Sequence, residues 1–123
     1  MILIFMLELK KIKLSNKRND YKDKFISKNI FQWESENNTT LDNERGNKLK
    51  NTKQVYLFVR KMDKEDNIIL PFTYFGTGKL TNVRESQVID KKTKEINKTL
   101  LFDILLDNEV PEEYFIDFEI PTE

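Results

Sequence analysis

Residues 54–61 read Gln-Val-Tyr-Leu-Phe-Val-Arg-Lys and give the clearest strand signal in the chain. β-Branched and aromatic residues dominate this run, and both types are enriched in strands. The alternation of a strand puts Val55, Leu57 and Val59 on one face and Tyr56, Phe58 and Arg60 on the other. Because both faces carry large side chains, we expect this strand to lie centrally in its sheet.

Similar runs on either side of it predict further short strands separated by turns. The apolar run 99–106 and the run 79–89 are the strongest, and Asp63–Asn67 predicts a hairpin turn. Pro71 predicts a break or an edge position, and Gly76 and Gly78 predict a bulge or a sharp bend. The result is five to six strands, which predicts a mainly β (α+β) fold built on a small curled sheet or β-barrel.

One or two short helices complete the predicted fold. Residues 15–29 are polar and basic, and Tyr21 and Phe25 are spaced i,i+4, which predicts a short helix with both rings turned inward. Residues 41–51 predict a turn and one helical turn around Arg45-Gly46. Pro111 followed by two glutamates suits the first turn of a helix.

The length and composition place the chain in one domain. It has 123 residues, enough for a single modest core. Residues 1–14 are predicted to be an N-terminal apolar strand or an extension, since their apolar run is too short to span a bilayer and has no signal-peptide pattern. We expect no membrane association. The absence of cysteine favours a reducing, cytoplasmic location.

The composition also argues against catalysis. Histidine is absent, which removes the commonest general base and the usual zinc ligand, and the lack of cysteine removes thiolate ligands. The run 76–81 lacks the first glycine and the hydroxyl of a phosphate-binding loop, and Glu8-Leu9-Lys10 supplies only half of a nuclease metal motif. We therefore predict a protein that is not an enzyme and has no catalytic residues, metal or cofactor.

The zero net charge hides an asymmetry along the chain. Residues 1–60 carry 13 Lys and Arg against 7 Asp and Glu, whereas residues 101–123 carry 8 acidic residues and no basic ones. A basic body with an acidic tail fits a surface that binds a polyanion. The alternative is that the two ends neutralise each other within one fold.

Residues 31–40, Phe-Gln-Trp-Glu-Ser-Glu-Asn-Asn-Thr-Thr, hold the only tryptophan. Read as a strand, this stretch has one face that begins aromatic and ends in a hydroxyl and an amide: Phe31, Trp33, Ser35 and Asn37. Such a face could hold a flat polar ligand by stacking and hydrogen bonding.

Read together, several separated blocks resemble a known family. They are Phe31-x-Trp33-x-Ser35-x-Asn37-x-Thr39, Arg45-Gly46, Leu57-Phe58-Val59-Arg60, Pro71-Phe72-Thr73-Tyr74-Phe75-Gly76 and Val110-Pro111. Over about residues 21–113 the chain resembles the domain, formerly of unknown function, at the C-terminus of bacterial helicase-like proteins. These proteins include type IV restriction enzymes that pair a phospholipase-D-type nuclease with a superfamily 2 helicase. The domain is regarded as similar to SRA domains of the PUA-like group, which read modified cytosine in DNA.

The resemblance implies a function and a set of site residues. It implies a DNA-binding module that flips a 5-methyl- or 5-hydroxymethylcytosine out of the duplex and acts with a helicase and nuclease in restriction or phage defence. The implied base pocket is Trp33, Ser35, Asn37 and Tyr74, and the implied phosphate contacts are Arg45, Lys48 and Arg60. Glu34 and Glu36 would repel phosphate, so this strand would touch the base and not the backbone.

Alternatives stay open for the site and for the function. Trp33 and Tyr74 would equally suit ordinary core packing, and Arg60 would suit a salt bridge with an acid of the tail such as Asp103. The chain could instead be a protein-interaction module that docks onto a helicase or nuclease through its acidic tail or an apolar edge. It could also be the remnant of a decayed restriction gene.

Overall fold

The computed structural model describes residues 2–8, 22–61 and 64–122. Its regular elements, in chain order, are β1 (Ile2–Glu8), β2 (Lys24–Ser27), β3 (Ile30–Glu34), α1 (Glu44–Lys50), β4 (Gln54–Arg60), β5 (Lys64–Glu65), β6 (Ile68–Ile69), β7 (Thr73–Ile89), β8 (Ile96–Leu106) and a 3₁₀ turn at Glu112–Tyr114. The mainly β fold with a short helix is confirmed. Among the described residues, no helix is long and apolar enough to cross a membrane.

Six strands form one curled sheet in the order β1-β4-β7-β8-β3-β2. β1 pairs with β4 in parallel, and every other neighbouring pair is antiparallel. The sheet curls into a half-barrel, so that Phe5 on the edge strand β1 comes within 4.6 Å of Trp33 in β3, measured between ring centroids. This contact crosses a gap that no backbone ladder closes, and we call that gap the seam.

The concave face of the sheet holds the core. Alternate residues of β4 are fully buried, as the sequence predicted: Val55, Leu57 and Val59. Phe31 and Ile104, which pair across β3 and β8, are equally buried and lie in the same cluster. β4 lies between β1 and β7, so its predicted central position is confirmed.

Residues 24–27 form a strand, so the helix predicted over residues 15–29 is wrong for its described part. Phe25 is buried and packs edge-to-face on Phe31, with 4.8 Å between ring centroids, while Lys24 and Ile26 on either side are exposed. That alternation is the period of a strand. The i,i+4 spacing that favoured a helix depended on Tyr21, which lies outside the described residues.

β7 is one continuous strand of 17 residues that runs through Gly76 and Gly78, where the sequence predicted a bulge or a sharp bend. The predicted bulge is present, because the register with β4 shifts between Leu57 and Phe58, next to Gly76 at φ 99°. A second shift occurs between Thr81 and Arg84 against β8. The chain is irregular from residue 70 to 72, which confirms the break predicted at Pro71.

The remaining predicted turns are also found. β5 and β6 form a hairpin whose turn residues, Asp66 and Asn67, both have positive φ, as a type I′ turn requires. Residues 62 and 63 of this predicted turn lie outside the described part. The turn after Pro111 is a short 3₁₀ helix.

The acidic C-terminal segment is part of the domain body. Val110, Phe118 and Ile120 are buried in the core cluster, and the Val110 amide donates to the Lys28 carbonyl at 2.7 Å. Its apolar side chains therefore help to close the half-barrel, while its acidic side chains line the surface.

Candidate functional site

A groove lies where the end of β3 meets α1, and we call it the Trp33 groove. Its volume is about 280 Å³. The lining residues are Leu3, Trp33, Ser35, Glu36, Thr39, Arg45, Lys48 and Leu49. Four of the seven predicted site residues, namely Trp33, Ser35, Arg45 and Lys48, thus lie in one concavity.

Trp33 forms one wall of the groove and is half-buried. Its indole stacks on Phe5 at an interplanar angle of 29°, and the ring of Phe102 lies 6.0 Å away. The same side chain lines a second groove, together with residues of β1, Asp23 and the segment 34–36. Trp33 therefore belongs both to the edge of the core and to the groove.

The backbone amide and the hydroxyl of Ser35 both form hydrogen bonds with Leu100 in β8. Its amide donates to the Leu100 carbonyl at 2.8 Å, and its hydroxyl accepts a hydrogen bond from the Leu100 amide, also at 2.8 Å. The same hydroxyl donates to the Glu36 carbonyl at 3.3 Å. Ser35 is 1% exposed, so its hydroxyl extends the pairing of β3 with β8 and shapes the groove floor.

Thr39 is a further polar residue of the groove, and it was not among the residues predicted for the site. It lines the groove and is only 1% exposed. The other buried polar side chains all have partners: Glu34, Ser35, Thr52, Asp90 and Thr99. The Thr39 hydroxyl has no hydrogen-bond partner in the described part of the chain. Leaving a buried hydroxyl unpaired costs about 1–3 kcal/mol, so a ligand in the groove would find an unused donor and acceptor there.

α1 brings the two groove cations into place. The side chain of Asn43 caps the helix by accepting from the Gly46 amide at 3.0 Å. A Cβ at Gly46 would lie 1.7 Å from the Thr40 carbonyl oxygen, so the helix packs directly on the segment that carries Thr39. The close approach fixes Arg45 and Lys48 beside the groove.

Both cations are exposed and weakly paired. The Arg45 guanidinium lies 3.6 Å from a Glu36 carboxylate oxygen and donates to the Asn37 carbonyl at 3.2 Å, and Lys48 lies 3.5 Å from Glu44. Exposed pairs of this kind contribute about 0–1 kcal/mol. They can therefore be exchanged for contacts with an anionic ligand. Asn37 contributes its carbonyl to this arrangement and is not among the groove-lining residues.

Tyr74 and Arg60 lie elsewhere in the fold. Tyr74 pairs with Phe58 on the convex face of the sheet, with 4.8 Å between ring centroids, so the sheet separates it from Trp33. The structure does not bring these two rings together around one base. Arg60 donates to the Leu70 carbonyl at 3.2 Å and lies over the ring of Phe72. Asp103 is paired with Arg84 at 3.0 Å, so the salt bridge considered between Asp103 and Arg60 is not formed.

A buried carboxylate supports the groove from behind. Glu34 is 3% exposed and accepts from the Thr99 hydroxyl at 2.6 Å and from the Lys22 amide at 3.0 Å. The Lys22 ammonium lies 3.4 Å from the same carboxylate. The sequence placed Glu34 on the face of the strand opposite Trp33, and there its carboxylate is buried against Thr99 and Lys22. Among the described residues, no group of three His, Cys, Asp or Glu side chains could hold a metal ion.

Comparison with known proteins gives one match. The model of the family described as Domain of unknown function (DUF3427) matches residues 1–118, which includes the N-terminal strand β1 and extends beyond the 21–113 of the resemblance. No curated protein and no solved structure matches the chain significantly.

Proposed function

We propose that this chain, which belongs to the DUF3427 family, is a DNA-binding module that recognises a modified cytosine flipped out of a duplex. The Trp33 groove is the proposed base pocket. The proposal is carried by one observation: a half-buried indole and the buried hydroxyl of Thr39, which has no partner among the described residues, line the same groove as two exposed cations.

The dimensions of the groove suit a single base. Pockets for small ligands usually measure about 300–1,000 Å³, and the groove, at about 280 Å³, lies just below that range. Its lining combines an aromatic wall with a few polar groups, which is the composition expected of a site for a flat heterocycle.

The energetics of flipping are compatible with this lining. Extruding a base costs a few kcal/mol, and stacking one base on an aromatic side chain returns about 1–3 kcal/mol. A methyl group that fills an apolar notch adds about 0.8 kcal/mol, and Leu3 and Leu49 supply apolar lining. Contacts with phosphates supply the remaining affinity, which does not depend on sequence.

The proposal gives each of these residues a role. Trp33 stacks on the base, Thr39 tests its hydrogen-bonding edge, and Arg45 and Lys48 bind the flanking phosphates. Ser35 holds the floor of the groove through its bonds to Leu100. In this proposal Tyr74 and Arg60 have no role at the base.

The cellular setting follows from the resemblance described above. A chain that binds but does not cut would act beside a helicase and a nuclease, in a restriction or phage-defence system in the cytoplasm. In that setting the module would direct the motor and the nuclease to modified DNA.

The test uses Trp33 itself, because it is the sole tryptophan. The protein is titrated with three duplexes that differ only in one cytosine, which is unmodified, 5-methylated or 5-hydroxymethylated. We expect quenching of the indole fluorescence by the modified duplexes and less by the unmodified one. In mobility-shift assays, Trp33→Phe keeps a ring against Phe5 and should bind all three duplexes with reduced discrimination. An unchanged fluorescence signal with no mobility shift for any duplex would contradict the proposal.

A protein-docking function is the second candidate, and the convex face of the sheet favours it. Adjacent positions on three strands form an outer apolar patch: Ile2, Ile4, Met6, Tyr56, Phe58 and Tyr74. Ile4 is 64% exposed and Tyr74 is 50% exposed. Contiguous exposed apolar surface of this kind often marks an interaction site. The test is a pull-down from cells that encode the system. There the Tyr74→Ser variant should no longer retain a helicase or nuclease partner, whereas the Trp33→Phe variant should still retain it.

A further inference from the structure

We propose that a second groove, at the end of the β7–β8 hairpin, binds the sugar–phosphate backbone of the same DNA. This inference extends the proposed function, because it assigns the path of the strand that flanks the flipped base. We call the feature the lysine groove. Its volume is about 850 Å³.

The charge of the lysine groove is strongly positive. Four lysines line it, Lys22, Lys91, Lys94 and Lys98, against the single acid Glu85. Lys91, Lys94 and Lys98 lie within eight residues of one another in the sequence, and the fold adds Lys22 from a distant part of the chain. Lysines that surround a concavity attract phosphates and release counterions when these bind.

The hairpin turn that carries two of these lysines is built rigidly. Asp90 is 7% exposed, and its carboxylate accepts from the amides of Lys92 and Thr93 at 2.8 and 3.2 Å. The Asp90 backbone closes the turn at both ends, donating to the Glu95 carbonyl and accepting from the Lys94 amide, each at 2.8 Å. A turn held this way presents its cations at fixed positions, which lowers the entropy lost on binding.

The lysine groove adjoins the strand end that carries the proposed base pocket. The Lys22 ammonium lies 3.4 Å from the carboxylate of Glu34, which follows Trp33, and donates to the Gln87 carbonyl at 2.8 Å. The Asn38 amide, next to Thr39, donates to the Lys98 carbonyl at 2.7 Å. One polynucleotide could therefore contact both grooves through neighbouring residues.

The size and lining of the groove favour a polymer backbone over a free phosphate ion. Val88 and Ile89 supply apolar surface between the cations, which suits the sugars of a nucleic acid strand. At about three times the volume of the Trp33 groove, it has room for more than one phosphate.

The experiment compares two double variants that remove equal charge. Lys94→Gln with Lys98→Gln removes two groove cations. Lys79→Gln with Lys92→Gln removes two exposed lysines that do not line the groove, one of them in the same turn. Affinity for a short unmodified duplex is measured by fluorescence anisotropy of a labelled DNA at several salt concentrations.

Each phosphate contact contributes about 0.9 to the slope of log K against log salt. The groove variant lacks two such contacts. When the salt concentration rises from 50 to 200 mM, the wild type should therefore lose about 12-fold more affinity than the groove variant. The variant with Lys79 and Lys92 replaced should keep the wild-type slope. Equal slopes in all three proteins, or equal reductions of the slope in both variants, would contradict DNA binding by the lysine groove.

The outcome separates this inference from the proposed base pocket. A reduced slope in the groove variant, with no preference of the wild type for the modified duplex, supports the lysine groove and contradicts the base pocket. Unchanged slopes with a clear preference for the modified duplex support the base pocket and contradict the lysine groove. A wild type that binds neither duplex contradicts both.

Discussion

The indole of Trp33 stacks on the ring of Phe5 across the seam of the half-barrel, with 4.6 Å between ring centroids. Among the described strands β1 pairs with β4 alone, and Trp33 lies in β3, so the two side chains come from strands that are not neighbours in the sheet. Aromatic pairs of this geometry contribute about 0.5–1.5 kcal/mol beyond the burial of their area. The contact links the stability of the edge strand to the wall of the proposed base pocket.

Replacing Phe5 by Ala should therefore destabilise the fold and alter the groove together. Deleting a buried phenyl ring costs about 3–5 kcal/mol, and Phe5 is 9% exposed, so we expect a loss near the lower end of that range. Urea unfolding measures it, and the emission of Trp33 should shift to the red in the folded variant. Ile4→Ala, on the exposed side of the same strand, is the control and should change both readouts little. Equal effects of the two substitutions would contradict the seam contact.

Thr39→Val tests the unpaired hydroxyl. Because the hydroxyl is buried without a partner in the described part of the chain, its removal should leave the free energy of unfolding unchanged or raise it by about 1 kcal/mol. Thr99→Val is the matched control, since the Thr99 hydroxyl donates to the Glu34 carboxylate and its loss should cost about 1.5–3 kcal/mol. Chemical denaturation distinguishes the two. If Thr39→Val is as destabilising as Thr99→Val, then Thr39 has a structural role.

Gly46→Ala sets two effects against each other. Helix propensity favours Ala over Gly by about 1 kcal/mol, but the added Cβ would lie 1.7 Å from the Thr40 carbonyl oxygen. The clash with backbone must force α1 away, so we expect a net loss of stability and weaker DNA binding through displaced Arg45 and Lys48. Denaturation and anisotropy measure the two effects. A stabilised variant would show that α1 does not pack on the Thr40 segment.

Arg84 and Asp103 should be energetically coupled. Their side chains are 3.0 Å apart and partly buried, and the Arg84 guanidinium also donates to the Gln32 side-chain oxygen at 2.8 Å. A double-mutant cycle with Ala at both positions should give a coupling energy of about 0.5–3 kcal/mol. The same cycle with Arg60 and Asp103 is the control. Asp103 pairs with Thr81 in the register of β7, far from the Leu70 and Phe72 contacts of Arg60, so the two effects should add. If only the Arg60–Asp103 cycle showed coupling, Asp103 would pair with Arg60 and not with Arg84.

The local part of the fold was predictable from the sequence. The alternation of β4, the turn around Gly46 and the break at Pro71 follow from residue propensities that act over a few positions. β2 was not predictable in this way, because its four residues form a strand through pairing with β3 and the packing of Phe25. Tertiary contacts outweighed a weak helical spacing there.

The candidate site was predictable only in part. Trp33, Arg45 and Lys48 were predicted through the family resemblance, whose blocks include Trp33 and Arg45, and the structure brings the three side chains to one groove. Thr39 could not be assigned, because the state of its hydroxyl depends on what packs around it. Three lysines of the lysine groove lie within residues 91–98, but their position beside Lys22 and Asn38 depends on how the β7–β8 hairpin packs. Such pairings between distant parts of the chain leave no local pattern.

Within the part of the chain that the structure describes, β1 has a strand neighbour on one side only, and it supplies both Phe5 at the seam and Leu3 in the Trp33 groove. Local opening of an edge strand costs less free energy than global unfolding. Each time β1 detaches, the Trp33 indole would lose its contact with Phe5, and the Trp33 groove would lose the part of its wall that Leu3 forms. Amide hydrogen exchange in β1 and occupancy of the cavity are thus thermodynamically linked, and a bound molecule should slow exchange even at β1 amides that it does not touch.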